Sequence, residues 1–363
     1  MHTKIITILA EQPDSALLAP AAELLKAGEL VAFPTETVYG LGANALSAEA
    51  VKKIFVAKGR PTDNPLIVHI AKLEQLTELV TKVPVAAKMA MEAFWPGPLT
   101  LIMPKSSKVP EVVTAGLATV AIRMPDHPVA LALLALTNIP IAAPSANLSG
   151  KPSPTKAEHV IKDLSGRVAA IIAGGDATVG VESTVLDCTV TPPMILRPGA
   201  ITYEELVSVL GEVAIDKSLL DKSGLDVLYP RSPGMKYTHY APLAKIYLLN
   251  SSDEEILAHL KVRVQEARAE GLRVGLLASD ELAFQLERRG VEFQHIERLG
   301  SRTELTKIAG HLFHGLRQCD RFQIDLAYAE CFPEDGLGFA IMNRLSRAAG
   351  KKKLFTAEEL TLA

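Results

Sequence analysis

Cysteine is scarce in this sequence. The three that occur in 363 residues, Cys188, Cys319 and Cys331, are odd in number and form no C-x-x-C pair. Such usage fits free thiols in a reducing cytosol and gives no zinc site. Long apolar runs are missing as well. The longest, around Val129 to Leu136, closes at Thr137-Asn138, far short of the roughly 20 residues that span a bilayer. The opening MHTKIITILAEQPDS has too short an apolar stretch for a signal peptide and runs straight into Glu11. The expectation is a cytoplasmic protein with no membrane association. Charge of one sign is also lacking. With 38 Lys+Arg against 41 Asp+Glu and a net charge of -3, a globally basic nucleic-acid binder is excluded, and any RNA contact would need a local patch. Aromatics at 5% offer little for a base-stacking platform. There is no G-x-x-x-x-G-K-[ST], G-x-G-x-x-G, G-x-S-x-G or H-E-x-x-H. Gly40-Leu41-Gly42 lacks the third glycine of a cofactor loop. His311 and His314 lack an acidic or cysteine partner at metal-ligand spacing and read as solvated or boundary histidines.

What is present is a folded α/β protein. Apolar residues make up 48% and charged ones 22%, and at about 150 residues per domain the length suggests two domains or three. To about residue 210, β-branched runs (Ile5–Leu9, Leu30–Phe33, Leu66–Ala71, Leu99–Met103, Thr119–Met124, Ile139–Ala143, Ala169–Ala173, Thr184–Asp187) alternate with helical patterns. Among the latter are Ser15–Lys26, closed by Gly28, and Ala48–Ala57, opened by Ser47 as N-cap. Leu99–Met103 lies too close to the next strand for a helical crossover, so the sheet should be mixed. From about Gly211 to Pro242 the chain turns polar and proline-marked, as an interdomain linker would. Beyond it, strands near 245, 273, 292 and 324 alternate with four helices, the pattern of a smaller Rossmann-like unit.

The chemistry-bearing residues cluster at the ends of these elements. Lys58-Gly59-Arg60-Pro61 follows a helix, Arg123-Met124-Pro125 ends a strand and Arg197-Pro198 ends another. Proline stops the regular element there and leaves the cation at the sheet rim, where open α/β sheets bind ligands. Guanidinium groups at such a rim suit phosphate or carboxylate, although any one of them alone is most often a surface arginine. The loops Pro34 to Gly42, Ala143 to Gly150, Gly174 to Asp176 and Val181 to Thr184 crowd hydroxyls and turn formers beside them. His69, inside an apolar strand, reads equally as a hydrogen-bonded core histidine or a ligand contact.

The ordered series PTETVYGLG, KGRPTDNPL with His69, PGPLT, AIRMP, APSANLSG, ESTV and LRPG resembles the YrdC-like family along its whole length. SPGMKYTHYAP and GLGFAIMNRLSRAA resemble the long, two-domain form of that family. The resemblance covers essentially the entire chain. It implies a mixed twisted sheet in a YrdC-like catalytic domain over 1–210, a linker or lid over 211–242, and a C-terminal Rossmann-like α/β domain over 243–363. It further implies a nucleotidyltransferase that condenses L-threonine, bicarbonate (or carbon dioxide) and ATP with Mg²⁺ into threonylcarbamoyl-AMP, releasing pyrophosphate. The product would pass to a separate tRNA threonylcarbamoyl transferase.

Motif by motif, Lys58, Arg60, Ser145 and Asn147 correspond to the family's catalytic tetrad of basic and polar nucleotide contacts. Asn64, Thr119, Ser153 and Arg197 match further ATP-binding positions, and Tyr237 matches a tyrosine that folds back over the nucleotide. Thr37, His69, Arg123, Ala143 (through its backbone) and Ser183 match L-threonine-binding positions. Arg123 would clamp the carboxylate, Thr37 and Ser183 would select the hydroxyl, and His69 would place or deprotonate the amine. The reaction needs charge neutralisation and alignment, not a covalent protein intermediate, and no metal ligand is implied among the side chains. A reading of another class is an RNA-binding or ribosome-associated factor using a basic concave face. A carbamoyl-transfer role in hydrogenase maturation would need modules for which this chain has neither the length nor the cysteines. The C-terminal unit shows no catalytic group, and a regulatory or closing role is expected for it.

Overall fold

The computed structural model describes residues 2–220 and 241–350, and the backbone of 354–355. These residues form two compact units, one of 2–149 and 153–220, the other of 150–152, 241–350 and 354–355.

The first unit is built on one sheet. Its strands are β1 (Lys4–Thr7), β2 (Val31–Phe33), β3 (Gly40–Asn44), β4 (Ile67–His69), β5 (Leu99–Pro104), β6 (Thr119–Arg123), β7 (Ile141–Ala142), β8 (Ala170–Ala173), β9 (Thr184–Asp187), β10 (Met194–Arg197) and β11 (Ala214–Ile215). Across the sheet they run β1-β8-β2-β3-β7-β4-β6-β5-β9-β10-β11. Parallel pairs (β1/β8, β4/β6, β5/β9) alternate with antiparallel ones (β2/β3, β5/β6, β9/β10), so the sheet is mixed, as the short β5–β6 connection requires.

Strand alternation sends successive side chains to opposite faces. On one face Leu41, Val68, Leu101, Ile122 and Leu186 pack with Val51, Ile54, Ala87 and Ala90 from the helices Ala48–Lys58 and Val85–Phe94. On the other, Phe33, Ile141 and Ile172 meet Leu18, Leu25 and Leu133 from Ser15–Lys26 and Pro128–Thr137. Each large apolar side chain buried this way contributes about 1.5–3 kcal/mol. Further along that second face, Ile67, Ile102, Ala121, Val185 and Leu196 form a patch of strand residues alone. This stretch of sheet is where a site can form.

The glycines that suggested a loop at 40–42 instead make β3. A Cβ on Gly42 would come within 2.9 Å of both Ile141 and Phe33, so glycine is required there by packing, and it is what hides the strand from a pattern reading. The apolar run at Val129 to Leu136 is a buried helix started by Pro128. Residue 210 does not end the unit. Val213 is buried, β11 lies parallel to β10, and Lys217–Leu220 adds a helical turn. Two strand residues are too few to show a period, which is why this part of 211–242 reads as linker in sequence. Tyr237 lies outside the described residues.

The second unit has five parallel strands, β12 (Lys245–Leu249), β13 (Val274–Ala278), β14 (His295–Arg298), β15 (Leu326–Glu330) and β16 (Leu354–Phe355), in the order β14-β13-β15-β12-β16. Helices Asp253–Ala269, Asp280–Arg288, Leu305–Arg321 and Gly336–Ala349 connect them. Capping is explicit: Ser252 and Glu255 form a reciprocal box, and Ser279 accepts from Leu282 N. Strand β15 begins two residues after the 324 indicated by the sequence pattern, and pairing with β12 carries it through Glu330.

Candidate functional site

The site follows from strand order. Neighbouring strands β4-β6-β5-β9-β10 bring a row of called residues to one edge of the sheet. Ala143 follows β7, which is antiparallel to β4, and so lies beside Ile67 at the other end of that strand. His69 ends β4, Arg123 ends β6, Ser183 precedes β9 and Arg197 ends β10. His69 and Arg123 are direct register partners, and Val185 pairs with Arg197. The alternating strand directions put the ends of β4, β6 and β10 beside the starts of β5 and β9, which is why residues so distant in sequence converge.

Arg123 is the centre of this row and is only 3% exposed. Its Nε donates to Gly97 O at 3.1 Å, its Nη1 donates to Thr37 Oγ1 at 2.8 Å, and its Nη2 lies 2.6 Å from Glu36 Oε1. Thr37 is held in turn by Thr35 at 2.9 Å. Next in the row, Ser183 Oγ is 2.7 Å from Thr100 Oγ1 and accepts from Arg197 Nη2 at 3.0 Å; Arg197 Nε also donates to Ser183 O at 3.0 Å. A buried ion pair is costly to desolvate and adds little net stability, so its retention here points to use.

His69 is buried against Arg123. Burial first, and the neighbouring guanidinium second, push its pKa down to about 3. The imidazole is therefore neutral near pH 7 and too weak a base to take a proton from an ammonium group. That neutrality speaks against a deprotonating role for His69 and is compatible with a placing one. Its Nδ1 has no hydrogen-bond partner among the described residues.

A second group lies along the 143–147 loop. The helix Ala48–Lys58 ends where Gly59 adopts a left-handed φ of 63°, a conformation glycine reaches without strain. Lys58, buried at that end, donates through Nζ to Ser145 O, to Asn147 O at 2.8 Å and to Asn147 Oδ1 at 3.3 Å. Ser145 Oγ donates to Asn147 Oδ1 at 2.6 Å. Backbone bonds from Ala143 N to Ile67 O (2.9 Å) and Ala146 N to Tyr39 O (2.8 Å) fasten this loop to the start of β4 and to the residue before β3. Asn64 is fully buried with neither amide atom bonded among the described residues, an unusual cost for a native protein. Ser153 Oγ donates to Glu182 Oε1 at 2.5 Å. Arg60 is half-buried beyond the helix cap, and Thr119, also half-buried, opens β6 opposite Pro104.

Sequence reading passed over Glu36, Thr100 and Glu182. Each sits inside a motif already singled out, and the two carboxylates within otherwise apolar, hydroxyl-rich runs were the available signal. His311 and His314 are each engaged locally, with Leu299 O at 3.1 Å and Gln318 at 2.7 Å.

Fold and site define a class: a mixed-sheet YrdC-like α/β domain with buried charges at one sheet edge, followed by a parallel α/β unit. A family model described as Telomere recombination, covering the YrdC type, matches residues 23–199, and one described as Threonylcarbamoyl-AMP synthase, C-terminal domain, matches 201–350. A threonylcarbamoyl-AMP synthase of Bacillus subtilis is 54% identical over 335 residues, which cover 92% of this chain and 93% of that protein. Its counterpart in Pyrococcus abyssi is 47% identical over 346 residues, covering 95% and 98%. A crystal structure of a Pyrococcus abyssi protein complexed with L-threonine matches with a TM-score of 0.90 at 45% identity, covering 98% of this chain and 99% of that one. The chain belongs to the threonylcarbamoyl-AMP synthase family.

Proposed function

We infer that this chain makes threonylcarbamoyl-AMP from L-threonine, bicarbonate and ATP, releasing pyrophosphate, and that the chemistry takes place at the sheet edge of the first unit. The product is the activated intermediate for threonylcarbamoyladenosine formation in tRNA and passes to a separate transferase. The observation that carries the reading is a set of buried polar groups around β4 and β6 whose hydrogen-bonding capacity is unfilled among the described residues: Asn64 before β4, and His69 Nδ1 and Arg123 Nη2 at the strand ends.

In this reading Arg123 holds the threonine carboxylate, and Thr37 and Ser183, already oriented by Thr35, Thr100 and Arg197, offer oxygens to the substrate hydroxyl. A hydroxyl partner of that kind discriminates strongly against an analogue lacking it. Threonine carbamate then attacks the α-phosphate of ATP, an anion approaching a polyanion. Lys58, Arg60 and Arg197 lower that repulsion, and Mg²⁺ enters with the nucleotide as substrate. Asn64, Thr119, Ser145, Asn147 and Ser153 orient the nucleotide, so the gain comes from alignment. Burial keeps water from the mixed anhydride.

The RNA-binding reading is not favoured. Lys58, Arg123 and Arg197 are all buried and unavailable to a phosphate backbone. Pure protein incubated with labelled ATP should release pyrophosphate only when threonine and bicarbonate are both supplied. Threonine-independent release would refute the assignment.

A further inference from the structure

The chain leaves the first unit for three residues in the middle of its nucleotide-binding stretch. Ser149 and Ser153 belong to the first unit, whereas 150–152 belong to the second. Gly150 turns the chain with a left-handed φ of 88°, which glycine adopts without strain. Arg317, buried on the helix Leu305–Arg321, holds the far end of the excursion. Its Nε and Nη2 both donate to Pro152 O, at 3.1 and 2.6 Å. On either side the chain is pinned by bonds within the first unit, from Ser149 N to Lys58 O at 2.9 Å and from Tyr39 N to Pro154 O at 2.8 Å. The second unit thus supplies the middle anchor of a segment whose flanking anchors lie in the first.

The place of that anchor decides what it can control. A peptide group is planar, so holding Pro152 O also holds the plane of Ser153 N. Pro152 and Pro154 have φ fixed by their rings and restrict the residues before them. Little backbone freedom remains between the bond from Arg317 and the bond from Tyr39. A guanidinium donating to a carbonyl is charge-assisted and stronger than a neutral pair. Ser145, Asn147 and Ser153, which orient the nucleotide in the reading above, lie along this stretch. The groups that meet threonine are braced elsewhere, Thr37 by Thr35, Arg123 by Gly97 and Ser183 by Thr100, and Arg317 holds none of them. We propose that Arg317 is a positioning residue for the nucleotide: by gripping the 150–152 excursion it keeps the 145–153 segment in its ATP-binding form. The second unit thereby controls ATP affinity while adding no group to the reaction. This rests on ATP binding along 145–153.

Isothermal titration of the full chain with a non-hydrolysable ATP analogue and, separately, with L-threonine reads the two sites apart. Arg317→Met should weaken the analogue by about 10-fold, the lower end for a hydrogen bond to a charged group, and shift threonine by less than about 3-fold. Arg317→Lys keeps a charged donor and should recover part of that loss. Equal loss of both ligands in Arg317→Met would overturn the proposal, because Arg317 would then only support the fold. Unchanged analogue affinity in a folded Arg317→Met would overturn it too. Should that variant not fold, Arg317→Lys must still weaken the analogue more than threonine, and equal effects on the two count against the proposal in the same way. Unchanged analogue affinity in Ser145→Ala would instead refute the placement of the nucleotide on this segment.

Discussion

Both units place charged side chains at the ends of their strands, and they treat them in opposite ways. In the second unit Arg302 is fully occupied: its Nη1 and Nη2 each contact Asp253 at 2.7 Å, and its Nε reaches Glu330 Oε1 at 2.5 Å. Glu330 Oε2 accepts from Ser279 N at 2.6 Å, and Glu281 accepts from Ser301 and from Arg302 N. This network ties the ends of β13 and β15 to the segments that follow β12 and β14. The edge that serves as a ligand crevice in open parallel sheets is occupied by the protein's own groups. In the first unit the arginine is more deeply buried and the groups are less satisfied, with Asn64, His69, Glu36 and Arg123 all retaining unfilled atoms among the described residues. Satisfied strand-end charges mark architecture; unsatisfied ones mark a place kept for something else.

Removing the centre of the first unit's network should have the largest effect. Arg123→Ala is expected to cut turnover by about 10²–10³ or more and, by stranding Glu36, to lower stability by about 3–5 kcal/mol. Adding Glu36→Gln to it should recover most of the stability in a denaturant titration and none of the activity. Full recovery of both would show that the pair is architectural after all. Arg60→Ala should lose about 10²-fold in turnover while leaving stability within about 0.5 kcal/mol, since the residue lies in a loop. Retained pyrophosphate release would remove Arg60 from the site.

In the second unit the expectation reverses. Arg302→Ala should cost about 1–3 kcal/mol, less than for a fully buried pair because Arg302 is partly exposed, with threonine affinity unchanged. Hydrogen bonding to Arg302 holds the Asp253 carboxyl below the usual carboxylate range. A depressed carboxylate adds stability that is present above its unfolded pKa near 4 and is lost as pH falls toward its folded value. Arg302→Ala should therefore flatten acid unfolding below about pH 4.

The histidine in the first unit gives the smallest effect and a different pH window. His69, lowered to about 3, binds fewer protons folded than unfolded. Stability should therefore decline as pH drops below about 6.5, by at most ~1.4 kcal/mol per pH unit. His69→Gln should remove that slope, as read by thermal melts between pH 7 and pH 5. A slope unchanged in the variant would mean that His69 is protonated in the folded protein.

Much of this was legible in the residues. Arg123 and Arg197 end strands where their following prolines indicated, Lys58 closes the helix begun by Ser47, and the mixed sheet follows from the short β5–β6 connection. The convergence was not legible, because it depends on strand order. Nothing in local pattern says that β4 and β6 are neighbours or that β9 lies beside β5. Strand β3 was concealed by the glycines its packing needs. Glu36 was concealed for a related reason. A carboxylate in a loop reads as solvated until the fold supplies the guanidinium that keeps it buried.

A crystal structure of the full chain with L-threonine and a non-hydrolysable ATP analogue tests the central claim most directly. The account predicts the threonine carboxylate on Arg123, its hydroxyl near Thr37 or Ser183, and ligand atoms within hydrogen-bond distance of Asn64 and His69 Nδ1. Threonine bound elsewhere, or bound with Asn64, His69 and Arg123 Nη2 still unfilled, would contradict it.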